Sequence, residues 1–183
     1  MNEDWQSVKK ALPLDFPNVP YLYDGEVKLS HSIAILRYLG RKFFMDGVTD
    51  EEMTRIEMIE QQLADWRSSG CSVFYSPDFD KLVEDYRKSL PSKMTSLSSF
   101  LGDFDFLGGG KKPSYVDFLA YEFLDVHEHF EPSLLEQTPN LQGYMTEIRE
   151  LPNIKRYLSS DRFKKMPIYN RHAKWGQDVV LKH

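Results

Sequence analysis

The chain of 183 residues is 41% hydrophobic and 14% aromatic, which suffices for one substantial core and excludes intrinsic disorder as its general state. Lys and Arg total 23 against 28 Asp and Glu, so the net charge of -5 gives no electrostatic reason to expect a nucleic-acid partner. The single cysteine, Cys71, excludes an internal disulfide. The opening residues lack the apolar core of a signal peptide, and no apolar run reaches the ~20 residues that span a bilayer. We therefore expect a soluble cytoplasmic protein with no membrane partner.

The first predicted unit is a β-hairpin followed by a helix. Residues 19–30 read VPYLYDGEVKLS, in which an Asp-Gly turn at 24–25 separates two short runs of apolar and β-branched residues. Ser30 or Ser32 is placed to cap the helix that follows, whose apolar residues recur at helical spacing and which ends at Gly47. A ββα unit therefore opens the chain.

The remainder of the pattern is helical only. An apolar stripe predicts a first long helix from Asp50 to about Ser72, with charged residues on its other faces. A second amphipathic segment begins after Pro77 and is interrupted near Pro91, because proline removes a helical hydrogen bond. Either a kinked helix or two short helices fit this second segment.

A glycine-rich loop and a capping box introduce the next helix. The loop is GGGKKP at 108–113, and Ser114 with Asp117 forms the box, in which two side chains satisfy free amides. The helix body is apolar around most of its circumference, which predicts a buried central helix. Further helices are predicted at 139–150 and 152–159. A small ββα piece joined to a larger helical block is an α+β arrangement.

The end of the chain is basic. The stretch from Lys155 to His183 holds eight Lys or Arg against Asp161 and Asp178. A solvated tail is the favoured interpretation over an anion site, and we assign no function to it from sequence.

The sequence resembles the mu class of the glutathione transferase family. The resemblance rests on LPLDFPNVPYLYDG and LSHSIAILRYLGRK, and continues through TRIEMIEQQLADW, VFYSPDFDKL, FLGDFDFLGG, PSYVDFLAYEFLDVHEHFEP and RFKKMPIYNRHAKWG. It implies a partial thioredoxin-like glutathione-binding domain of ββα form at 1–47 and an all-α C-terminal domain at 48–183. It also implies that the family's opening strand-helix-strand, with the tyrosine that activates the glutathione sulfur, is not among these residues. We therefore expect this chain to conjugate glutathione poorly.

The resemblance implies a glutathione site in the first 20 residues. Asn18, Val19 and Pro20 match the family's turn, where a cis proline exposes the backbone of Val19 for pairing with the tripeptide. Trp5 and Lys9 match residues that hold the glycine carboxylate of glutathione. Without the resemblance, these two residues would be interpreted as a surface tryptophan and a solvated lysine.

Three further residues match positions that hold the γ-glutamyl part of glutathione. Ser32 matches the residue that binds its carboxylate at a helix N-terminus, although a plain N-cap is equally compatible. His31 replaces the family's usual glutamine, and a histidine in that role would make binding pH-dependent. Asp65 matches an aspartate that reaches glutathione in the neighbouring subunit, which implies a homodimer, whereas its plain interpretation is a surface charge.

The electrophile pocket is implied by two aromatic residues. Tyr75 matches a tyrosine whose hydroxyl assists catalysis, since a phenol stays protonated and able to donate at neutral pH. Tyr169, with Trp175, falls where the C-terminal segment covers the pocket. On composition alone, Tyr75 would be interpreted as a core residue. His127 and His129 are two apart on a helix and point in different directions, so we expect no metal site.

The predicted function is glutathione transferase, which conjugates the glutathione thiol to hydrophobic electrophiles in detoxification. Glutathione is a co-substrate, and no cofactor is expected. One alternative is a non-catalytic binding or structural protein of the same family. A second is a generic helical interaction module unrelated to glutathione, which fits the periodicity but not the collinear match.

Overall fold

The computed structural model describes residues 3–177 of the chain, which form an α+β structure. In chain order the elements are α1 (Glu3–Ala11), β1 (Tyr21–Asp24), β2 (Val27–Ser30), α2 (Ser32–Lys42), α3 (Asp50–Phe74), α4 (Phe79–Leu101), α5 (Tyr115–Phe130), α6 (Pro139–Glu150) and α7 (Pro152–Leu158). The predicted succession of a ββα unit and a helical block is confirmed. Each described helix is too short or too polar to cross a membrane.

The hairpin forms where the sequence predicted it. Strands β1 and β2 pair antiparallel with Tyr21 opposite Ser30 and Asp24 opposite Val27. Gly25 has a φ of 59°, the left-handed conformation that the tight turn requires. Asp24 also accepts a hydrogen bond from the Tyr38 hydroxyl at 2.8 Å and pairs with Lys42, which attaches the turn end of β1 to α2.

Helix α2 ends five residues before Gly47, where the sequence placed its end. The amide of Phe44 donates to the Arg41 carbonyl at 3.3 Å, and the amide of Met45 donates to the Gly40 carbonyl at 2.7 Å. This pair of bonds is a Schellman motif, whose C′ residue is left-handed and usually glycine. Here Phe44 takes that position with a φ of 56° and a side chain 91% exposed.

Phe44→Gly is expected to raise the free energy of unfolding by roughly 1 kcal/mol, because a left-handed conformation disfavours any residue with a Cβ. The exposed ring contributes little packing that the substitution would lose. Urea denaturation measures the change, and Phe44→Ala is the control because it removes the ring but keeps the Cβ. An equal gain in both variants would mean that the ring, and not the backbone, is responsible.

The helical block begins with a complete capping box. Thr49 accepts from the Glu52 amide at 3.1 Å, and the Glu52 carboxylate accepts from the Thr49 amide at 3.4 Å. Helix α3 then runs to Phe74, two residues beyond the predicted end. The predicted division between domains, after residue 47, falls in the segment between α2 and α3, and the division itself stays a prediction.

Helix α4 is continuous through Pro91, which decides between the two alternatives left by the sequence. The core side of the helix around the proline is deeply buried, with Leu90 fully covered and Met94 1% exposed. Packing on that side holds the helix together across the hydrogen bond that Pro91 lacks.

Helix α5 is the buried central helix that the sequence predicted. Val116, Ala120 and Leu124 have no exposed surface, and α3, α4, α6 and the loops on either side of α5 contribute to the same core. Its capping box is buried as well. The carboxylate of Asp117 accepts from the Ser114 amide at 2.7 Å and from the Ser114 hydroxyl at 2.8 Å.

Candidate functional site

The loop before β1 presents the backbone on one surface of the protein. The Val19–Pro20 peptide bond is cis, as the resemblance implied, and Val19 is 58% exposed. The Asn18 side chain accepts the Val19 amide hydrogen at 2.9 Å. Asn18, Val19 and Pro20 therefore form an exposed turn whose backbone is positioned by the asparagine.

A buried serine joins this loop to the start of α2. The Ser30 hydroxyl donates to the Phe16 carbonyl at 2.5 Å, so Ser30 does not cap the helix. Ser32 does not cap it either, because it is the first helical residue. The N-cap position belongs to His31, which has a φ of 70° and makes no side-chain capping bond. The prediction that Ser30 or Ser32 caps the helix is wrong, since the Ser30 hydroxyl has a distant partner.

His31 and Ser32 therefore lie at the N-terminus of α2, beside the loop that carries the cis proline. The first amides of a helix lack intrahelical partners and favour an anion. The His31 ring lies 6.3 Å from the ring of Phe16, in an edge-on arrangement. This end of α2 is suited to a carboxylate.

Trp5 and Lys9 are brought together by helix α1. They are four residues apart, so both side chains lie on the same face of the helix. Both are half-buried, while Gln6, Ser7 and Lys10 around them are exposed. The helix thus presents an indole and an ammonium group on the same face.

A cavity of about 530 Å³ lies between α3, α5 and the C-terminal segment. Ile33 of α2 contributes to its rim, and Leu63, Leu119, Phe123 and Val126 supply much of its apolar surface. Its polar lining consists of Glu60, Arg67, Ser68, Cys71, Glu122, His127 and Tyr169. A mostly apolar cavity with a few polar groups is suited to a hydrophobic small molecule.

The two aromatic residues assigned to the electrophile pocket contact each other, and one of them lines this cavity. The rings of Tyr75 and Tyr169 meet edge-on with centroids 5.7 Å apart. Tyr169 lines the cavity, whereas Tyr75, the C-cap residue of α3, reaches it through this ring contact and is 37% exposed. Burial raises the pKa of the Tyr169 hydroxyl, which keeps it protonated.

The C-terminal segment is fastened to the end of α3. The Lys174 amide donates to the Phe74 carbonyl at 2.7 Å, and the Trp175 ring lies 5.0 Å from the Phe74 ring. The amide of Tyr169 donates to the Gly176 carbonyl at 3.0 Å. These contacts hold Tyr169 in the lining of the cavity, and the covering role that the resemblance implied for this segment stays a prediction.

A neutral histidine lies at the inner wall of the cavity. The Tyr86 hydroxyl and His127 Nε2 are 2.6 Å apart, and His127 Nδ1 lies 2.6 Å from the Phe123 carbonyl. The carbonyl only accepts, so Nδ1 carries the hydrogen and Nε2 accepts from the tyrosine. Burial lowers the pKa of His127 to about 4, so the ring is uncharged at neutral pH.

Gly70 allows this contact. A Cβ at position 70 would come within 2.6 Å of the Tyr86 hydroxyl oxygen. A similar close approach occurs at Gly40, where a Cβ would lie 2.8 Å from Cδ1 of Tyr115.

Glu60 connects the hairpin unit to the helical block. Its carboxylate accepts from Arg37 Nε at 2.8 Å, from Arg37 Nη2 at 2.6 Å and from the Tyr115 hydroxyl at 2.6 Å. The three residues come from α3, α2 and α5, so the carboxylate fixes α2 against the rim of the cavity. This contact was not predicted from the sequence, because Glu60 falls among the charged residues on the other faces of α3.

Asp65 lies apart from the cavity lining. It is exposed on α3, and its recorded contact is a hydrogen bond from Gln61 Nε2 at 3.4 Å. An exposed position is compatible with a partner molecule as well as with a surface charge.

Comparison with known proteins gives consistent matches along most of the chain. The N-terminal domain model of glutathione S-transferase matches residues 2–41, and the C-terminal domain model matches residues 64–161. Glutathione S-transferase Mu 3 of Homo sapiens is 45% identical over 176 residues, covering 96% of this chain and 78% of that protein. Glutathione S-transferase Mu 2 of Mus musculus is 46% identical over 172 residues, covering 94% of this chain and 78% of that protein.

Solved structures give the same result. The glutathione S-transferase Blo t 8 superposes with a TM-score of 0.88 at 33% identity, covering 96% of this chain and 83% of that one. The Pi-class glutathione S-transferase of Onchocerca volvulus superposes with a TM-score of 0.83 at 28% identity, covering 95% of this chain and 85% of that one.

Proposed function

The chain belongs to the glutathione S-transferase family, and from that premise we propose where it binds its two substrates. Its function is that of a mu-like glutathione transferase, which joins the thiol of glutathione to a hydrophobic electrophile. The assignment of the two sites rests on the position of the loop with the cis proline, the N-terminus of α2 and the cavity relative to one another. An exposed loop with a cis proline lies beside the N-terminus of α2, and α2 borders a largely apolar cavity.

Glutathione is proposed to bind along the loop and the end of α2. The Val19 backbone before Pro20 pairs with the peptide, and Asn18 keeps that backbone in place. Ser32 and His31 receive the γ-glutamyl carboxylate at the helix N-terminus. Trp5 and Lys9 lie on one face of α1 and hold the glycine carboxylate, for which an ammonium group is the natural partner.

The electrophile is proposed to occupy the cavity beneath Tyr169. Tyr75 serves as the catalytic donor, since its ring touches Tyr169 and its side chain is 37% exposed. Its hydroxyl donates to the oxygen or leaving group on which negative charge develops. The uncharged state of His127 keeps the inner wall compatible with an apolar molecule.

We extend the proposal to assembly and location. The protein is a cytoplasmic homodimer in which Asp65, exposed on α3, reaches the glutathione of the partner subunit. Glutathione is a co-substrate, and the chemistry of a thiol and an electrophile requires no other cofactor. Sedimentation equilibrium tests the dimer, and an Asp65→Asn variant tests the shared site through the KM for glutathione.

Tyr75→Phe is expected to lower kcat for conjugation of glutathione to a chromogenic aryl halide by roughly 10- to 100-fold, because one donor to a developing anion is lost. The 183-residue chain is assayed against buffer alone, and Tyr157→Phe is the matched control at an exposed tyrosine on α7. Equal rates in the two variants would contradict the role of Tyr75.

The same assay separates transferase activity from the non-catalytic alternative. Retention of the chain on immobilised glutathione, together with a conjugation rate no higher than buffer, would indicate a binding or structural protein. Failure to bind the resin would contradict the proposed glutathione site.

A further inference from the structure

Residues 155–166, at the end of α7 and just beyond it, form a basic segment. It carries five cationic side chains against a single carboxylate, Asp161, in a chain whose net charge is -5. The cations are Lys155, Arg156, Arg162, Lys164 and Lys165. The rest of the chain is therefore strongly acidic, and this segment stands out as a local positive patch.

The backbone folds this segment against α7. The Ser160 amide donates to the Tyr157 carbonyl at 3.0 Å, and the Phe163 amide donates to the Ser160 carbonyl at 3.1 Å. The rings of Tyr157 and Phe163 meet edge-on with centroids 5.7 Å apart. Two successive turns and a ring contact thus bring Arg162 close to the helix that carries Lys155 and Arg156.

Three of the cations have no partner within the part of the chain that the structure describes. Lys155 pairs with Glu150, and Arg156 donates to Asn153, but Arg162, Lys164 and Lys165 are exposed without a recorded ion pair or hydrogen bond. The three cations lie within the four residues from 162 to 165, which span ~10 Å when the chain is extended. This distance is about one Debye length at 0.1 M salt, so salt screens the charges from one another only in part. The three charges therefore act together on any anionic surface that approaches.

Apolar groups lie among these cations. The Tyr157 side chain is 46% exposed and Met166 is 36% exposed. A phosphate group needs only the cations, whereas cations together with an amphipathic tyrosine and the apolar side chain of Met166 suit the boundary between lipid headgroups and acyl chains. Clusters of four to eight Lys or Arg are typical of surfaces that bind acidic lipids.

We propose that the basic segment docks the protein on anionic phospholipid membranes. Arg162, Lys164 and Lys165 contact the headgroup phosphates, while Tyr157 and Met166 lie at headgroup depth. This differs from the expectation, drawn from net charge and the lack of an apolar span, of no membrane partner. Neither of those properties describes a local patch, and the proposal does not depend on the glutathione site.

Co-sedimentation of the 183-residue chain with vesicles tests the proposal. Vesicles of phosphatidylcholine with 30% phosphatidylserine are compared with pure phosphatidylcholine, each at 50 mM and 500 mM salt. The test variant is Arg162→Gln with Lys164→Gln and Lys165→Gln. The control variant carries the same loss of charge on other exposed surfaces, through Lys81→Gln, Lys88→Gln and Lys111→Gln. Thermal unfolding of both variants confirms that they are folded.

The expected result is binding to the phosphatidylserine vesicles only, weakened by 500 mM salt. The test variant should lose affinity on the order of 100-fold, at roughly fivefold for each cation, and the control variant should change by less than threefold. Equal losses in the two variants, or no vesicle binding by the parent chain, would overturn the proposal. Binding of single-stranded RNA or polyglutamate without vesicle binding would overturn it as well, in favour of a different partner.

Discussion

Asp117→Ala is expected to lower the free energy of unfolding by about 4 kcal/mol, because four buried hydrogen bonds to its carboxylate are lost and a buried donor left without an acceptor costs ~1–3 kcal/mol. The donors are the Leu107 amide at 2.9 Å, the Ser114 amide at 2.7 Å, the Ser114 hydroxyl at 2.8 Å and the Tyr144 hydroxyl at 2.9 Å. Asp117 has no exposed surface, so water cannot replace the carboxylate. Urea denaturation at pH 7 measures the loss.

Thr49→Ala is the matched control, because Thr49 caps α3 in the same type of box but at an exposed position. Its loss is expected to cost about 1 kcal/mol, the usual value for a helix cap. Similar losses for the two variants would show that the bonds from Leu107 and Tyr144 contribute little.

His127 is expected to make the protein less stable in acid by roughly 2–3 kcal/mol between pH 7 and pH 4.5. Burial lowers its pKa in the folded state to about 4, from an ordinary value of 6.5. Between these two values the unfolded chain binds a proton at this ring and the folded chain does not. The stability is therefore complete above pH 6.5 and is lost progressively as the pH falls towards 4.

Carboxylates also titrate in this range, so the contribution of His127 requires a difference between variants. The free energy of unfolding is measured at pH 7 and pH 4.5 for the parent chain, for His127→Gln and for His172→Gln, whose side chain is exposed. The pH dependence should shrink in His127→Gln alone. If the pH dependence of the free energy of unfolding is unchanged in His127→Gln, protonation of His127 does not destabilise the folded protein, and the prediction is wrong.

Much of the fold could be predicted because local patterns determined it. The Asp-Gly turn marked the hairpin, and the uniform apolar composition of α5 marked the buried helix. The segment around Pro91 could not be decided from sequence, because the buried contacts of Leu90 and Met94 with other helices keep α4 continuous. The end of α2 was misplaced because a phenylalanine occupies the left-handed position that normally indicates glycine.

Contacts between distant residues explain what the sequence could not supply at the candidate site. Nothing in the local pattern indicates that the Ser30 hydroxyl binds the Phe16 carbonyl, or that Arg37 and Tyr115 both donate to Glu60. One signal was available. Glu60, Arg67 and Cys71 recur at helical spacing beside the apolar stripe of α3, and this second stripe lines the cavity.

The two close glycine contacts limit which substitutions this family member can accept, and they do so in different ways. Any side chain at position 70 meets the hydroxyl oxygen of Tyr86 first, and the next ring atom is 3.4 Å away, an ordinary contact. A tyrosine-to-phenylalanine change at position 86 therefore makes room for alanine at position 70, at the expense of the bond to His127. At position 40 the obstacle is a ring carbon of Tyr115, which phenylalanine retains. Divergent sequences can exchange Gly70 together with Tyr86 in two steps, whereas Gly40 changes only if the aromatic ring at position 115 is lost.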